Sequence, residues 1–262
     1  LYYKQKQRAF SLVELSIVLV ILGLLVGGVL SGQSLIRASE LRSVTSDLAR
    51  YQTAVYTFRD KYFALPGDMT NATAFWQVRA STGSDVTCHQ TINSTAGTCN
   101  GNGNGEIDSI AGDSATLGER FAAWQHMARA GLIEGSYTGA SANASSVVVT
   151  SGTNVPRTKM SGARVGFAWI GGPVSANTEY FDGPYSVNTI GISADSGKPF
   201  KPEELWNIDT KMDDGRPATG IVWTTKSTGT WNPNCATTAV VSTAEYSLTN
   251  PAKLCEAWVS AR

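Results

Sequence analysis

Residues 10–30 read FSLVELSIVLVILGLLVGGVL. Apart from Glu14 the run holds no charged side chain. At 1.5 Å per residue, a helix of this length is about 30 Å long, the thickness of one hydrocarbon core. Glu14 is the anomaly. A carboxylate at full membrane depth costs roughly 2.5–3.5 kcal/mol, and less near the interface. A segment that served only as an anchor would carry leucine there. Residues 1–9 contain Lys4, Lys6 and Arg8 and no acid. Cations flanking a span stay cytoplasmic, so the rest of the chain is expected on the far side.

Three readings of this segment compete: a secretory signal cleaved after the run, an inert anchor, and a segment cut before the run. The residues beyond the run separate them. Leu41, Val44, Leu48, Tyr51, Val55, Phe58 and Tyr62 alternate spacings of three and four, an amphipathic seam. The first proline is Pro66. The pattern predicts one helix over residues 10–63, roughly 80 Å long. A disposable signal has no need to run in phase into such a seam, and an inert anchor leaves Glu14 unexplained. Gly23, Gly27, Gly28 and Gly32 form two GxxxG spacings. They let membrane helices approach closely, although each lowers helix stability by roughly 1 kcal/mol relative to alanine.

The stretch RAFSLVELSIVLVILGLL, residues 8–25, resembles the cleavage and methylation site of the type IV pilin and pseudopilin family. The resemblance covers about the first 65 residues. It implies that a prepilin peptidase cuts between Ala9 and Phe10 and methylates the new amino terminus at Phe10. Ala9 stands where the family prefers glycine. Glu14 then becomes the family's acidic fifth residue. The new α-amino group, with a pKa of about 7.7–8.0, is charged at neutral pH. In a bundle of staggered subunits Glu14 meets a neighbour's amine. An unpaired buried charge is strongly penalised, so the pair selects one axial stagger. A carboxylate resting among the headgroups is the plainer alternative. Many family members carry a helix-breaking proline farther along the run; here Ser31 and glycines stand in that region, where local melting of the helix is one reading.

The implied organisation is a leader at 1–9, a long helix at 10–63 whose residues 10–30 span the membrane or form a filament core, and a head at 64–262. Residues after Pro66 support the head reading. YFALPGD ends the long helix, because a residue preceding proline leaves helical geometry and Gly67 permits a turn. Leu117, Phe121, Trp124, Ala128 and Leu132 predict a helix over 115–130, with Thr116 and Glu119 as a capping box and Gly131 after its end. KPEELWNIDTKM predicts a further helix opening at Pro202. Strands are expected at SSVVVTS (145–151), ARVGFAWIGG (163–172), YSVNTIGIS (185–193), ATGIVWTTK (218–226) and TTAVVS (237–242). The order gives an α+β, pilin-like class: a long amino-terminal helix packed on an antiparallel sheet. LPGDMTNATAFW and NIDTKMDDGRPATGIVW also resemble stretches of large pilin-like proteins.

Cys88, Cys99, Cys235 and Cys255 contain no CxxC, and His89 and His126 are the only histidines. Zinc with its usual spacing is disfavoured. Export favours disulfides, and three connectivities exist. The local pairs Cys88–Cys99 and Cys235–Cys255 each close a modest loop, worth roughly 3 kcal/mol. The second resembles the disulfide-bounded carboxy-terminal loop of many type IV pilins. CNGNGNGEID, residues 99–108, sets Asn100, Asn102 and Asn104 on alternate positions before Gly105, Glu106 and Asp108. An EF-hand loop has ligands at positions 1, 3 and 5, glycine at 6, a carbonyl at 7, here that of Glu106, and a ligand at 9. Asn replaces aspartate three times and Ala111 stands at position 12, so only millimolar extracellular calcium suits it. A polar Asn-Gly turn is the competing reading, and no cofactor is required.

No nucleophile elbow, HExxH or P-loop is present. His126 reads as packing or surface, His89 as a loop residue, and Asp209, Asp213 and Asp214 as a helix-to-strand turn. Charged residues make up 16%, lysine plus arginine equals aspartate plus glutamate, and no basic stripe occurs, so nucleic acid is an unsupported partner. The expected role is assembly, not catalysis. The chain reads as a structural subunit of a type IV pilus or type II secretion pseudopilus. It sits in the inner membrane with a periplasmic head and then in a filament. Its partners are its own copies, the prepilin peptidase and the inner-membrane assembly machinery. An adhesin on a simple anchor is the alternative, with Trp169, Trp223 and Trp231 as ligand-facing aromatics; an anchored hydrolase is weaker still.

Overall fold

The computed structural model describes residues 11–79, 88, 96–107, 118–141, 148–170, 187–194, 197–224, 235–237 and 241–261. The chain divides into two compact units, Leu1–Arg42 and Ser43–Arg262. Helix α1, Leu12–Tyr62, is unbroken over 51 residues, through the glycines that the sequence leaves open to melting. It ends where expected. Phe63 takes a left-handed φ of 53°, Gly67 a φ of 92°, and the Phe63 amide still donates to the Arg59 carbonyl.

In the second unit, α1 buries the predicted seam. Val44, Leu48, Tyr51, Val55 and Phe58 are each 2% exposed or less. Helices α2, Ala72–Trp76, and α3, Glu119–Arg129, come next. Strand β1, Ala163–Ile170, pairs antiparallel with β2, Val187–Ala194. Helix α4, Pro202–Met212, then precedes β3, Val222–Trp223, and β4, Ala257–Ser260. All pairings are antiparallel, in the order β1-β2-β4-β3. The fold is therefore α+β, a long amino-terminal helix followed by a small antiparallel sheet. One sheet row holds Val165, Phe167, Ile190, Ile192, Ala257 and Val259, all buried. The ring of Trp124 on α3 lies 4.5 Å from that of Phe167 and 5.0 Å from that of Tyr51. Gln52 of α1 donates to the Ser260 carbonyl at 2.7 Å.

Several expected elements differ. Helix α3 starts at Glu119, with Gly118 at its N-cap; residues 115–117, including Thr116, lie outside the described residues. Gly131 has the left-handed φ, 74°, expected after its end. The expected strand at 145–151 contributes only a bridge between Ser151 and Val155, because Asn154 draws both the Thr150 amide and the Val148 carbonyl to its own side chain. Residues 145–147 lie outside. Of the expected 218–226 strand, the described residues form only Val222–Trp223, since the Asp213 carboxylate takes the amides of Ile221 and Val222; residues 225 and 226 lie outside the described residues. Val241–Thr243 is a short 3-10 turn that takes in the last two residues of the strand expected at 237–242; residues 238–240 lie outside the described residues. Strand β4 was not anticipated; its signal is the alternation of Cys255, Ala257, Val259 and Ala261, all 0% exposed.

The turn after α4 contains a buried acid. Asp209 is 0% exposed. Its carboxylate accepts the Tyr246 hydroxyl at 2.7 Å and the Gly215 amide at 3.1 Å. Desolvation outweighs these bonds and pushes its pKa up to about 7. The unfolded chain titrates this acid near 3.8, so between these values the folded state binds more protons. Stability from this group is complete below the lower value and is lost as pH rises through the upper one, by at most about 1.4 kcal/mol per pH unit. Denaturant unfolding of the wild type is expected to show this decline between pH 5 and 8. Asp209→Asn should flatten it.

Candidate functional site

The helix start is built from Ser11 and Glu14. The Ser11 amide donates to Glu14 Oε2 at 3.0 Å, and Ser11 Oγ accepts the Val13 amide at 3.3 Å. Ser11, at N-cap, thus caps the N2 amide, and Glu14, three residues on, reaches back to the N-cap amide as in a capping box. Glu14 thus has a local task within one chain. It satisfies an otherwise orphaned donor, and its charge suits the positive end of the helix dipole. The sequence pattern S-x-x-E carried this signal, and the reading of Glu14 as a membrane anomaly overlooked it. Ala9, Phe10 and the basic leader lie outside the described residues.

Beyond the cap the helix surface is apolar all round. Leu12 is 85% exposed, and Leu15, Ile17, Leu19, Ile21, Leu24 and Leu30 are each at least half exposed. Ser16 and Ser34 turn their hydroxyls back to the carbonyls of Val13 and Ser31, leaving no outward polar demand from either. A Cβ at Gly23, Gly27, Gly28 or Gly32 would meet nothing within 4 Å. Packing within the chain therefore gives no reason for these glycines. Among the described residues, α1 is the one helix long and apolar enough to cross a membrane.

The Asn-Gly stretch lies in the second unit and is organised around a side chain that its own sequence does not contain. Asp68 Oδ1 accepts the Gly103 and Asn104 amides at 2.6 and 3.1 Å, and Oδ2 accepts the Gly105 amide at 2.9 Å. Gly103 and Gly105 have φ of 75° and 85°, which turn successive amides inward. Asn100 accepts the Thr73 amide, Asn102 that of Asn104, and Asn104 that of Glu106. Glu119 binds the Asn102 amide at 2.8 Å. The loop thus encloses a carboxylate of the protein itself. Asp108, the expected ninth-position ligand, lies outside the described residues.

His126 ties this loop to the end of α1. It is fully buried. Its Nδ1 accepts the Gly67 amide at 3.0 Å, which places the ring proton on Nε2, beside Thr98 Oγ1 at 2.9 Å and the Cys99 carbonyl at 3.2 Å. Thr98 in turn donates to Gln125 Oε1 at 2.7 Å. With every ring nitrogen engaged in structure, His126 has the packing role expected of it. His89 lies outside the described residues. Cys88 is bonded to Cys99 and Cys235 to Cys255, with Cα separations of 5.8 and 5.3 Å.

Asp209, Asp213 and Asp214 bring carboxylate oxygens within 4.8 Å of one another. Each nevertheless serves the turn: Asp209 accepts the Tyr246 hydroxyl, Asp213 the Ile221 and Val222 amides, and Asp214 the Arg216 amide and Thr219 hydroxyl. Trp223 is buried at 7% exposure. Trp231 and the Trp169 side chain lie outside the described residues.

Residues 4–30 match the prokaryotic N-terminal methylation motif, the signature of type IV pilins and pseudopilins. No curated protein and no solved structure matches the chain.

The loop geometry has a direct test. Asp68→Ala removes the carboxylate acceptor of the Gly103, Asn104 and Gly105 amides, while the Gly103 amide keeps the residue-68 carbonyl, and should lower unfolding stability by about 1.5–3 kcal/mol, the contribution of a charge-assisted bond, equally in millimolar calcium and in chelator. A melting temperature that rises with calcium, and that Asp108→Ala returns to its chelator value, would make the loop a cation site instead.

Proposed function

We propose that this chain is the structural subunit of a helical filament, a type IV pilus or a type II secretion pseudopilus. The methylation motif over residues 4–30 carries the reading. The motif runs directly into an unbroken helix with apolar surface on every side. In this reading the prepilin peptidase cuts before Phe10 and methylates it. The subunit waits in the inner membrane with its head in the periplasm, and the assembly machinery then moves it into a bundle of identical helices. The bundle replaces lipid with apolar side chains, a near-neutral exchange that leaves helix packing and polar pairing to decide the geometry. The outward glycines supply close approach. Glu14 supplies the pairing: its second oxygen and its charge face a neighbour's methylated amine, while the cap bond to Ser11 persists.

The cap complicates the obvious mutation and also offers the discriminating one. Glu14→Ala removes both cap and charge. Glu14→Gln keeps an acceptor suited to the capping box and removes only the charge. Both variants are expected to insert in the membrane and to be processed. Both should yield less than a tenth of wild-type sheared filament, the loss expected for about 1.4 kcal/mol or more per subunit contact. Normal filament yield from Glu14→Gln beside failure of Glu14→Ala would assign Glu14 to the helix cap alone. Mass spectrometry of the sheared material should find methylated Phe10 at the amino terminus. A chain still carrying residues 1–9 in the mature surface fraction would favour an anchored adhesin.

A further inference from the structure

Three Asn-Gly steps stand in a row: Asn100–Gly101, Asn102–Gly103 and Asn104–Gly105. This dipeptide favours loss of ammonia from the asparagine side chain. The glycine nitrogen, unhindered by a neighbouring Cβ, attacks the asparagine Cγ. The amide proton goes to a base, ammonia leaves, and a succinimide ring closes. Water then opens the ring at either carbonyl, which yields aspartate or isoaspartate. In an unstructured chain the three steps react alike, because each has the same attacking residue. In the fold they differ at the attacking atom.

The Gly105 amide donates to Asp68 Oδ2 at 2.9 Å. The Gly103 amide has two acceptors on the same residue, Oδ1 at 2.6 Å and the backbone carbonyl at 3.2 Å. The Gly101 amide donates to the Met69 carbonyl at 2.9 Å. Gly101 is buried, and a Cβ there would lie 2.4 Å from the Asp68 backbone. Asn102, Gly103, Asn104 and Gly105 are exposed to water, whereas Asn100 is half-buried. The electrophiles are poised: Asn102 Oδ1 accepts the Asn104 amide at 2.9 Å and Asn104 Oδ1 that of Glu106 at 2.8 Å, and each bond draws electron density from Cγ. The nucleophiles are withheld. Reaction requires the glycine nitrogen to leave the carboxylate and to lose its proton. The first breaks a charge-assisted bond, and the second sets an amidate beside a carboxylate of like charge.

We propose that Asn104 and Asn102 are sites of spontaneous covalent modification that the Asp68 carboxylate holds in check. Asn104 converts first, then Asn102, because Gly105 is held by one acceptor and Gly103 by two. Asn100 is last, since its glycine is packed against backbone. The first conversion propagates. Isoaspartate adds a methylene to the backbone and breaks the convergence of amides on Asp68. Either product also adds negative charge to a loop already holding Asp68 and Glu119, whose carboxylate accepts the Asn102 amide at 2.8 Å. The remaining step then accelerates. This chemistry belongs to the second unit and is independent of how the amino-terminal helix assembles.

The test incubates the full chain in detergent micelles, in mildly alkaline buffer made with ¹⁸O water, beside a capped synthetic peptide of residues 100–108. Acidic digestion and mass spectrometry then follow ¹⁸O incorporation at each asparagine, and fragmentation separates isoaspartate from aspartate. In the peptide all three sites are expected to convert at comparable rates. In the folded chain Asn104 should convert about tenfold more slowly than in the peptide, the factor set by breaking one charge-assisted bond, with Asn102 slower again and Asn100 slowest. Asp68→Asn keeps the shape and removes the charge. It should speed conversion of Asn104 about tenfold and leave Asn100 unchanged. The proposal fails if the three sites of the folded wild type match the peptide, or if Asn100 converts as fast as Asn104. It also fails if folded Asp68→Asn converts Asn104 at the wild-type rate or more slowly, the last outcome making the carboxylate a base that promotes the reaction. Where Asp68→Asn does not fold, the order of the three sites in the wild type against the peptide decides alone.

Discussion

The constraint on which the rest depends is the apolar surface of α1. Between Leu12 and Ile36, sixteen large apolar side chains are exposed at half their area or more. At about 1.5–3 kcal/mol each for full burial, leaving them in water costs on the order of tens of kcal/mol. That exceeds the whole stability of an ordinary domain, about 5–15 kcal/mol. Such a segment has to be covered by something other than its own chain. Lipid and a bundle of like helices are the two coverings that suit a surface with no polar face. The capped amino end fits either, because Ser11 and Glu14 satisfy their donors internally.

The same helix changes character near Leu41. From Val44 to Phe58 it buries one stripe and leaves Thr53, Tyr56, Thr57 and Arg59 exposed. Its final turn is anchored by contacts of high specificity. Phe58 stacks 6.3 Å from His126 with the planes 12° apart, and Gly67, just past the end, gives its amide to the same ring. The Cys88–Cys99 bridge adjoins this point through the Cys99 carbonyl. Helix end, disulfide loop and α3 are therefore held by one neutral imidazole.

The long helix, its seam and its stop were legible because each is a local pattern: periodicity, a proline, a glycine. Helix α4 was legible for the same reason, with Pro202 at its start and Glu204 reaching back to the Lys201 amide at 2.9 Å. What escaped was set by partners distant in sequence. Strand β4 is short and partly made of alanine, so its alternation carried little hydrophobic weight; its place comes from pairing with β2 and β3. The Asn-Gly repeat carried two local readings, a cation loop and a polar turn; the carboxylate on which its amides converge, Asp68, lies more than thirty residues earlier, and no local reading supplies that. The cap bond from Ser11 to Glu14 is local, and its S-x-x-E signal was masked by the stronger expectation of a membrane span.

These cases share one physical habit. A chain with only 16% charged residues uses several of its carboxylates on backbone amides: Glu14 on Ser11, Asp68 on the loop, Glu119 on Asn102, Glu204 on Lys201, Asp213 on β3. A charge-assisted bond to an amide contributes about 1.5–3 kcal/mol, whereas an exposed ion pair contributes about 0–1. The amide partner is fixed by the backbone and loses no side-chain entropy. It also does not dissociate from its site as salt rises. This keeps turns closed without a highly charged surface. Asp209 marks the limit of the device. With one amide and one hydroxyl as partners in a fully buried site, the carboxylate is under-compensated, and burial draws a proton to it.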